Sequence, residues 1–257
     1  MAALLLVFLL INIIAVFAVL GAKSGETVAI PGSYRQYGFG SEAYPAAIRR
    51  VSPVVAVFKR VFDILVSLFI VVLTLPLCVI TAVLICLDSP GGAFFSQTRI
   101  GMIDAKGARL IRIYKFRTMR SDAEARTGAV WAKKNDDRIT RVGRIIRKVR
   151  IDEIPQILNV VRGEMSLIGP RPERPEFYES LEKKIPGYRT RTYGVLPGIT
   201  GLAQCSLGYD TCVEDVKKKL ELDLVYARSL SSTWTWLKME ALIVLKTIFM
   251  IAKCGGQ

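Results

Sequence analysis

Residues 61–87 read VFDILVSLFIVVLTLPLCVITAVLICL, an apolar run broken by one acid, Asp63, near its start and by Pro76 in its middle. It is long enough to cross a bilayer, whose core of roughly 30 Å takes about 20 helical residues. Its flanks decide how it does so. Lys59 and Arg60 precede it, and Arg99, Lys106, Arg109 and Arg112 follow it, so the positive-inside tendency puts both ends on the same side. A single straight span does not satisfy that. Pro76 removes a helical N–H and clashes with the preceding turn, so a helix broken there enters the membrane and returns on the same face. A plain spanning helix with a kink is the competing reading, and the residues of this stretch leave the two level.

Outward from this run, the composition agrees with membrane contact. Among 257 residues, 51% are hydrophobic, and 36 Lys and Arg against 22 Asp and Glu give a formal charge of +14. A disordered tail is excluded by the apolar content. There is no histidine, which excludes Ser-His-Asp and Cys-His catalysis and a His-ligated metal. The five cysteines are scattered and never form C-x-x-C, as expected of free thiols facing a reducing compartment. Toward the N-terminus, residues 2–20 are apolar apart from Asn12. A retained anchor over 1–22 is favoured over a cleaved signal, because no basic residue precedes the run and Lys23 and further cations follow it. The N-terminus would then lie outside. Residues 23–58, rich in Gly, Ser, Pro and Tyr, read as a linker.

Toward the C-terminus, Phe94–Gly101 and Ala108–Phe116 flank a turn region with Asp104 and Gly107, and Leu110, Arg112 and Tyr114 alternate with Ile111 and Ile113. This predicts a β-hairpin. Ile139, Val142, Ile145, Ile146 and Val149 then recur at helical spacing among five cations, which predicts a basic amphipathic helix on anionic lipid. From Arg99 to Arg150 there are 16 basic and five acidic residues, so most of the excess charge sits here. The run from Trp234 to Ala252, with two Trp at its start and Lys along it, suits the membrane interface. The fold class is therefore mainly helical with a small β-hairpin, an α+β arrangement attached by a Pro-broken re-entrant helix and interfacial helices.

Three clusters are candidates for chemistry. Lys115-Phe116-Arg117-Thr118-Met119 sets two cations and a hydroxyl at the exit of a strand, suited either to gripping phosphate or to lipid headgroups. Asp152 and Glu153, adjacent carboxylates with Pro155 just beyond, fit the first turn of a helix, with Asp152 as N-cap. The same pair fits a carboxylate that attacks phosphorus or holds Mg²⁺, once the surrounding cations cancel phosphate charge. Gly169-Pro170-Arg171-Pro172 is a stiff turn presenting one Arg. No phosphate loop of the G-x-x-x-x-G-K-[ST] type and no G-x-G-x-x-G is present.

Taken in order, Lys59-Arg60 before the Pro-broken helix, Tyr114 to Met119, Asp152 to Val160, Gly163 to Glu173 and Pro197 to Gln204 closely resemble the bacterial sugar transferases, the monotopic polyprenyl-phosphate phosphoglycosyl transferases. The resemblance covers residues 59–252. It implies transfer of a sugar-1-phosphate from a UDP-sugar to undecaprenyl phosphate with Mg²⁺, releasing UMP, as the first membrane step of polysaccharide or glycan assembly. It also implies a transferase domain over 59–257, seated on the cytoplasmic face of the bacterial inner membrane, and it favours the re-entrant reading of 61–87. Under it, Asp152 is the expected nucleophile and Glu153 positions Mg²⁺ or the acceptor. Lys115 and Arg117 meet phosphates, and Pro170, Arg171 and Pro172 meet the nucleotide. The implied partners are the two substrates and membrane lipids, with downstream glycosyltransferases or a second copy as protein partners and no nucleic acid. Departures are Leu75-Pro76 where Ser-Pro is frequent, Glu164 for Asp, Arg150 for a small hydroxyl residue, and Cys205-Ser206 for an aromatic. A non-catalytic module capturing anionic lipid or nucleic acid is the rival, but pure anion binding gains nothing from carboxylates at Asp152 and Glu153.

Overall fold

A computed structural model describes residues 51–104, 107–123, 136–207 and 213–253; the anchor and most of the linker expected from the sequence lie outside them. The described chain is mainly helical with two small sheets. Helix α1 (Pro53–Asp88) begins eight residues ahead of the apolar run, with Pro53 in its first turn, where the missing N–H costs nothing. Strands β1 (Phe94–Asp104) and β2 (Gly107–Phe116) form the expected antiparallel hairpin, with Phe94 opposite Phe116. Ile111 and Ile113 point into the core while Arg112 points out, as the alternation required.

Helix α2 (Arg141–Lys148) follows, capped by the Thr140 hydroxyl on the Gly143 N–H. Its apolar residues divide between two faces. Ile146 is buried against Ile85 and Phe116, whereas Ile145 is 67% exposed. Next come a 3-10 helix (Ile151–Gln156), α3 (Ile157–Arg162), β3 (Ser166–Ile168), α4 (Pro175–Lys184) and a second 3-10 helix (Tyr188–Thr192). The chain ends with β4 (Gly198–Thr200), α5 (Leu202–Ser206), α6 (Val213–Ser229) and α7 (Thr233–Ala252). The parallel pair β3–β4, joining Ser166 to Gly198 and Ile168 to Thr200, was not legible in the sequence.

Both ends of α1 are fastened to this domain. At its start, Arg60 donates to the carbonyls of Val160 (2.5 Å) and Val161 (2.9 Å), filling acceptors at the end of α3. Lys59 pairs with Glu240 of α7 at 2.7 Å, and Asp63 accepts the Leu167 N–H of β3 at 3.2 Å. This explains an acid in each of two apolar helices, since a buried charge persists only when it is paired. At the far end, Asp88 accepts the Val142 N–H of α2, and Ile85 packs on Phe116 and Ile146. The middle of α1 is bare: Leu65, Phe69, Val72 and Leu73 are each more than 60% exposed. In α7, Trp236, Glu240 and Ile243 face inward at helical spacing, while Trp234, Leu245 and Phe249 face out. So much apolar surface has no place in water. Cys78, Cys86 and Cys205 are free.

Candidate active site

Lys115 near the end of β2, Glu153 in the 3-10 helix and Arg171 in the turn after β3 are far apart in sequence and meet at one carboxylate oxygen. Glu153 Oε1 lies 3.0 Å from Lys115 Nζ and 3.0 Å from an Arg171 terminal nitrogen. The Arg150 guanidinium stands 3.9 Å from the other oxygen. Burial by itself would raise the Glu153 carboxyl, but Lys115, Arg171 and Arg150 outweigh it and hold it far below the usual carboxylate range. The Lys115 ammonium is drawn down by its own burial, although Glu153 opposes this.

Asp152 behaves in the opposite way. Among the described residues its carboxylate has no hydrogen bond and no ion pair, and desolvation raises it above the ordinary value. Lys115, Arg147 and Arg171 pull in the other direction, while Glu153 adds to the rise. The N-cap role expected for Asp152 is not found. Arg150 precedes the 3-10 helix in left-handed backbone (φ 59°, ψ 17°), so Asp152 falls inside the first turn and its carboxylate is free of the backbone. Arg150 is the one non-glycine residue with positive φ among those described, a conformation that costs a bulky side chain roughly 1–2 kcal/mol. Its ion pair with Glu153 sets against that strain.

The turn carrying Arg171 is built by close backbone contacts. A Cβ on Gly169 would lie 2.4 Å from Leu196 O, and one on Gly198 would lie 2.0 Å from Gly169 N, so only glycine lets β3 and β4 approach here. Gly169 N–H donates to Thr200 O and Gly198 N–H to Pro170 O, each at 2.8 Å. Pro170 and Pro172 are buried and frame Arg171, whose side chain is 41% exposed. They stiffen the backbone, while the side chain between them supplies the charge.

Arg117 stands apart from this cluster. All five of its N–H donors are spent on the segment after α1: the carbonyls of Ser89, Pro90, Gly91 and Gly92 and the Ser89 hydroxyl, at 2.7–3.1 Å. It clasps the end of the membrane helix. One organising residue carried no assignment in the sequence reading: Asn159, fully buried, donates to Arg112 O (2.8 Å) and Glu164 Oε2 (2.6 Å) and accepts from the Tyr114 N–H (3.3 Å). It thereby stitches β2 to α3 and holds Lys115 opposite Glu153. The available signal was an amide placed between Ile157 and Val160 on a buried helical face.

Residues 54–254 match the bacterial sugar transferase family. The chain belongs to that family. It is 47% identical over 197 residues to a UDP-N-acetylgalactosamine-undecaprenyl-phosphate N-acetylgalactosaminephosphotransferase of Aeromonas hydrophila, covering 77% of this chain and 44% of that protein. It is 49% identical over 133 residues to a putative undecaprenyl-phosphate N-acetylgalactosaminyl 1-phosphate transferase of Bacillus subtilis, covering 52% and 72%. With a UDP-glucose:undecaprenyl-phosphate glucose-1-phosphate transferase of Caulobacter vibrioides the identity is 41% over 193 residues, covering 74% and 68%. The chain thus spans less than half the length of the Aeromonas relative. Family membership and the long apolar α1 mark a membrane-associated protein.

Proposed function

We propose that this chain transfers a sugar-1-phosphate from a UDP-sugar to undecaprenyl phosphate and releases UMP. The observation that carries the proposal is the split between two adjacent acids. Glu153 is locked among Lys115, Arg171 and Arg150, while Asp152 is unpartnered at the edge of the same cations. An unpartnered carboxylate has a lone pair to offer, and the cations offset the repulsion that a diphosphate would otherwise exert on it. In the first step an Asp152 oxygen attacks the β-phosphorus, the P–O bond to UMP breaks, and UMP departs with the electron pair. In the second, an oxygen of undecaprenyl phosphate attacks the same phosphorus, the acyl phosphate bond breaks, and the Asp152 carboxylate is restored.

Lys115 and Arg171 suit the donor phosphates, and Arg147, near enough to act on Asp152 electrostatically, adds charge on the α2 side. No cluster of three acids, cysteines or histidines occurs among the described residues, so an all-protein metal cage is not the arrangement here. Mg²⁺ fits as an ion held by Asp152 together with substrate phosphates, with Glu153 available only by releasing a cation, and it would supply charge neutralisation. Detergent-solubilised protein incubated with undecaprenyl phosphate and a panel of UDP-sugars is expected to release UMP from at least one of them. No release from any member of the panel overturns the proposal.

The re-entrant course of α1, with the active site on the cytoplasmic face of the inner membrane, is part of the same proposal. Arg60 and Ile85 would be about 37 Å apart along a straight helix. Yet Arg60 bonds Val160, next to Asn159, whose amide holds the Tyr114 N–H, and Ile85 packs on Phe116, two residues farther along that strand. Both ends of α1 dock on the same domain and Pro76 lies between them, which favours a bend there. Cysteines introduced at Arg49 and Lys106, in a background without native cysteines, are expected to label only after the membrane is opened. Labelling of either from outside intact cells would establish a spanning helix instead.

A further inference from the structure

The donor site proposed above depends on where the turn holds Arg171, and a chain of polar side chains outside that site fixes the turn from the hairpin side. Arg99 of β1 donates one terminal N–H to Pro172 O at 3.3 Å and the other to Gln97 Oε1 at 2.6 Å, so its guanidinium is oriented from its own strand. The bond to Pro172 O is the one side-chain hydrogen bond to the backbone of residues 169–172 among the described residues. Beside it, Glu173 Oε1 stands 3.7 Å from Arg99 and accepts the Arg174 N–H at 3.0 Å, while the Ile100 N–H reaches Glu173 O at 2.8 Å.

Glu173 is held in turn from the core. Its Oε2 accepts the Tyr188 hydroxyl at 3.4 Å, and the Tyr188 oxygen accepts an Arg191 N–H. Arg191 then closes on Asp223 Oδ2 of α6 with two nitrogens, at 2.8 and 2.7 Å. Tyr188, Arg191 and Asp223 are 2%, 5% and 1% exposed. A buried ionic chain of this kind gains little stability over apolar residues of equal size, and its characteristic gain is a single arrangement. Here the arrangement ends at the residue next to Pro172.

We infer that Arg99, aligned by Glu173 and the Tyr188–Arg191–Asp223 chain, is a positioning residue for the donor nucleotide, acting through the backbone of the Arg171 turn. This inference rests on the reading of Arg171 as a donor contact. Lysine at position 99 keeps the charge but has a single nitrogen in place of the two terminal nitrogens that reach Pro172 O and Gln97 Oε1 separately, so it does not hold both. Burial, then the charge of Arg171, lowers Arg99 to about 10, which leaves it protonated at neutral pH and in the same field as Arg171.

Arg99→Lys is expected to weaken UDP binding, measured by titration calorimetry with Mg²⁺ present, about tenfold. The donor KM should rise in parallel, with kcat and the acceptor KM within twofold of wild type. Tyr188→Phe, which removes one hydroxyl, should shift donor affinity severalfold in the same direction. Loss of folded enzyme would instead lower kcat and leave KM alone. The inference is overturned if UDP affinity and donor KM of Arg99→Lys stay within twofold of wild type, or if kcat alone falls. A wild-type protein that binds UDP but releases no UMP sinks the proposed reaction, and the binding series still decides the role of Arg99. Wild-type protein that binds no UDP overturns both.

Discussion

Asp152→Asn is expected to lower UMP release by about 10²-fold or more while leaving the protein folded, because the amide matches the carboxylate in shape but is neutral and a poor nucleophile. The chemical test is direct. With UDP-sugar labelled in its sugar and no acceptor, wild-type protein should retain label and the variant none, and undecaprenyl phosphate should then discharge the label into the organic phase. Absence of protein label, with no UMP until both substrates are present, would keep the transferase reading and leave Asp152 as metal ligand or general base alone, without the nucleophilic role. Stability provides a second readout. Desolvation raises the Asp152 carboxyl above its unfolded value of about 3.9. The folded state therefore holds that proton more tightly, and stability is lost as pH rises through the raised value. The variant does not ionise, so its thermal midpoint in detergent should equal or exceed that of wild type at pH 7 and approach it in acid. A lower midpoint at pH 7 would mean that Asp152 has a stabilising partner.

Glu153→Gln should fail in both respects. Glu153 is 7% exposed and holds Lys115 and Arg171 on one oxygen, so the amide leaves two cations facing each other with no anion between them. Removing one member of a buried ion pair costs about 3–5 kcal/mol, reduced here to about 2–3 because Arg171 is partly solvated and the amide oxygen still accepts a hydrogen bond. That corresponds to a midpoint lowered by about 5–10 °C at pH 7. The sign with pH is the reverse of that for Asp152. A depressed carboxyl contributes stability above its unfolded pKa of about 4.3 and loses it as pH falls toward the folded value, so the gap between variant and wild type should narrow in acid. Donor turnover should fall by about 10²-fold, since Lys115 and Arg171 no longer share a fixed position. Unchanged stability with activity intact would remove Glu153 from the centre of the site.

Periodicity and charge were enough to read the hairpin, the amphipathic α2, the apolar α1 and α7, and the acids of the site, because each is a local pattern: alternation across β2, helical spacing around Ile146, an uninterrupted run about Pro76. Local pattern could not say which cation meets which anion. Lys115 and Arg117 are two residues apart, one at the end of β2 and one just past it, and look equivalent in sequence, yet Lys115 turns to Glu153 while Arg117 spends every donor on residues 89–92. The deciding factor is where the end of α1 is docked, a contact closed across the fold. Asp152 and Glu153 are neighbours with nearly the same chemistry, and only the left-handed Arg150, together with the arrival of Arg171 from the turn after β3, sends one into an ion cluster and leaves the other free. The sequence alone determined the apolar α1 and α7, the hairpin, the basic α2 and the residue types at the site, while the β3–β4 pair was beyond it. The division of labour among those residues was decided by tertiary structure, because the pairing and desolvation of a charge depend on which distant segments are packed around it.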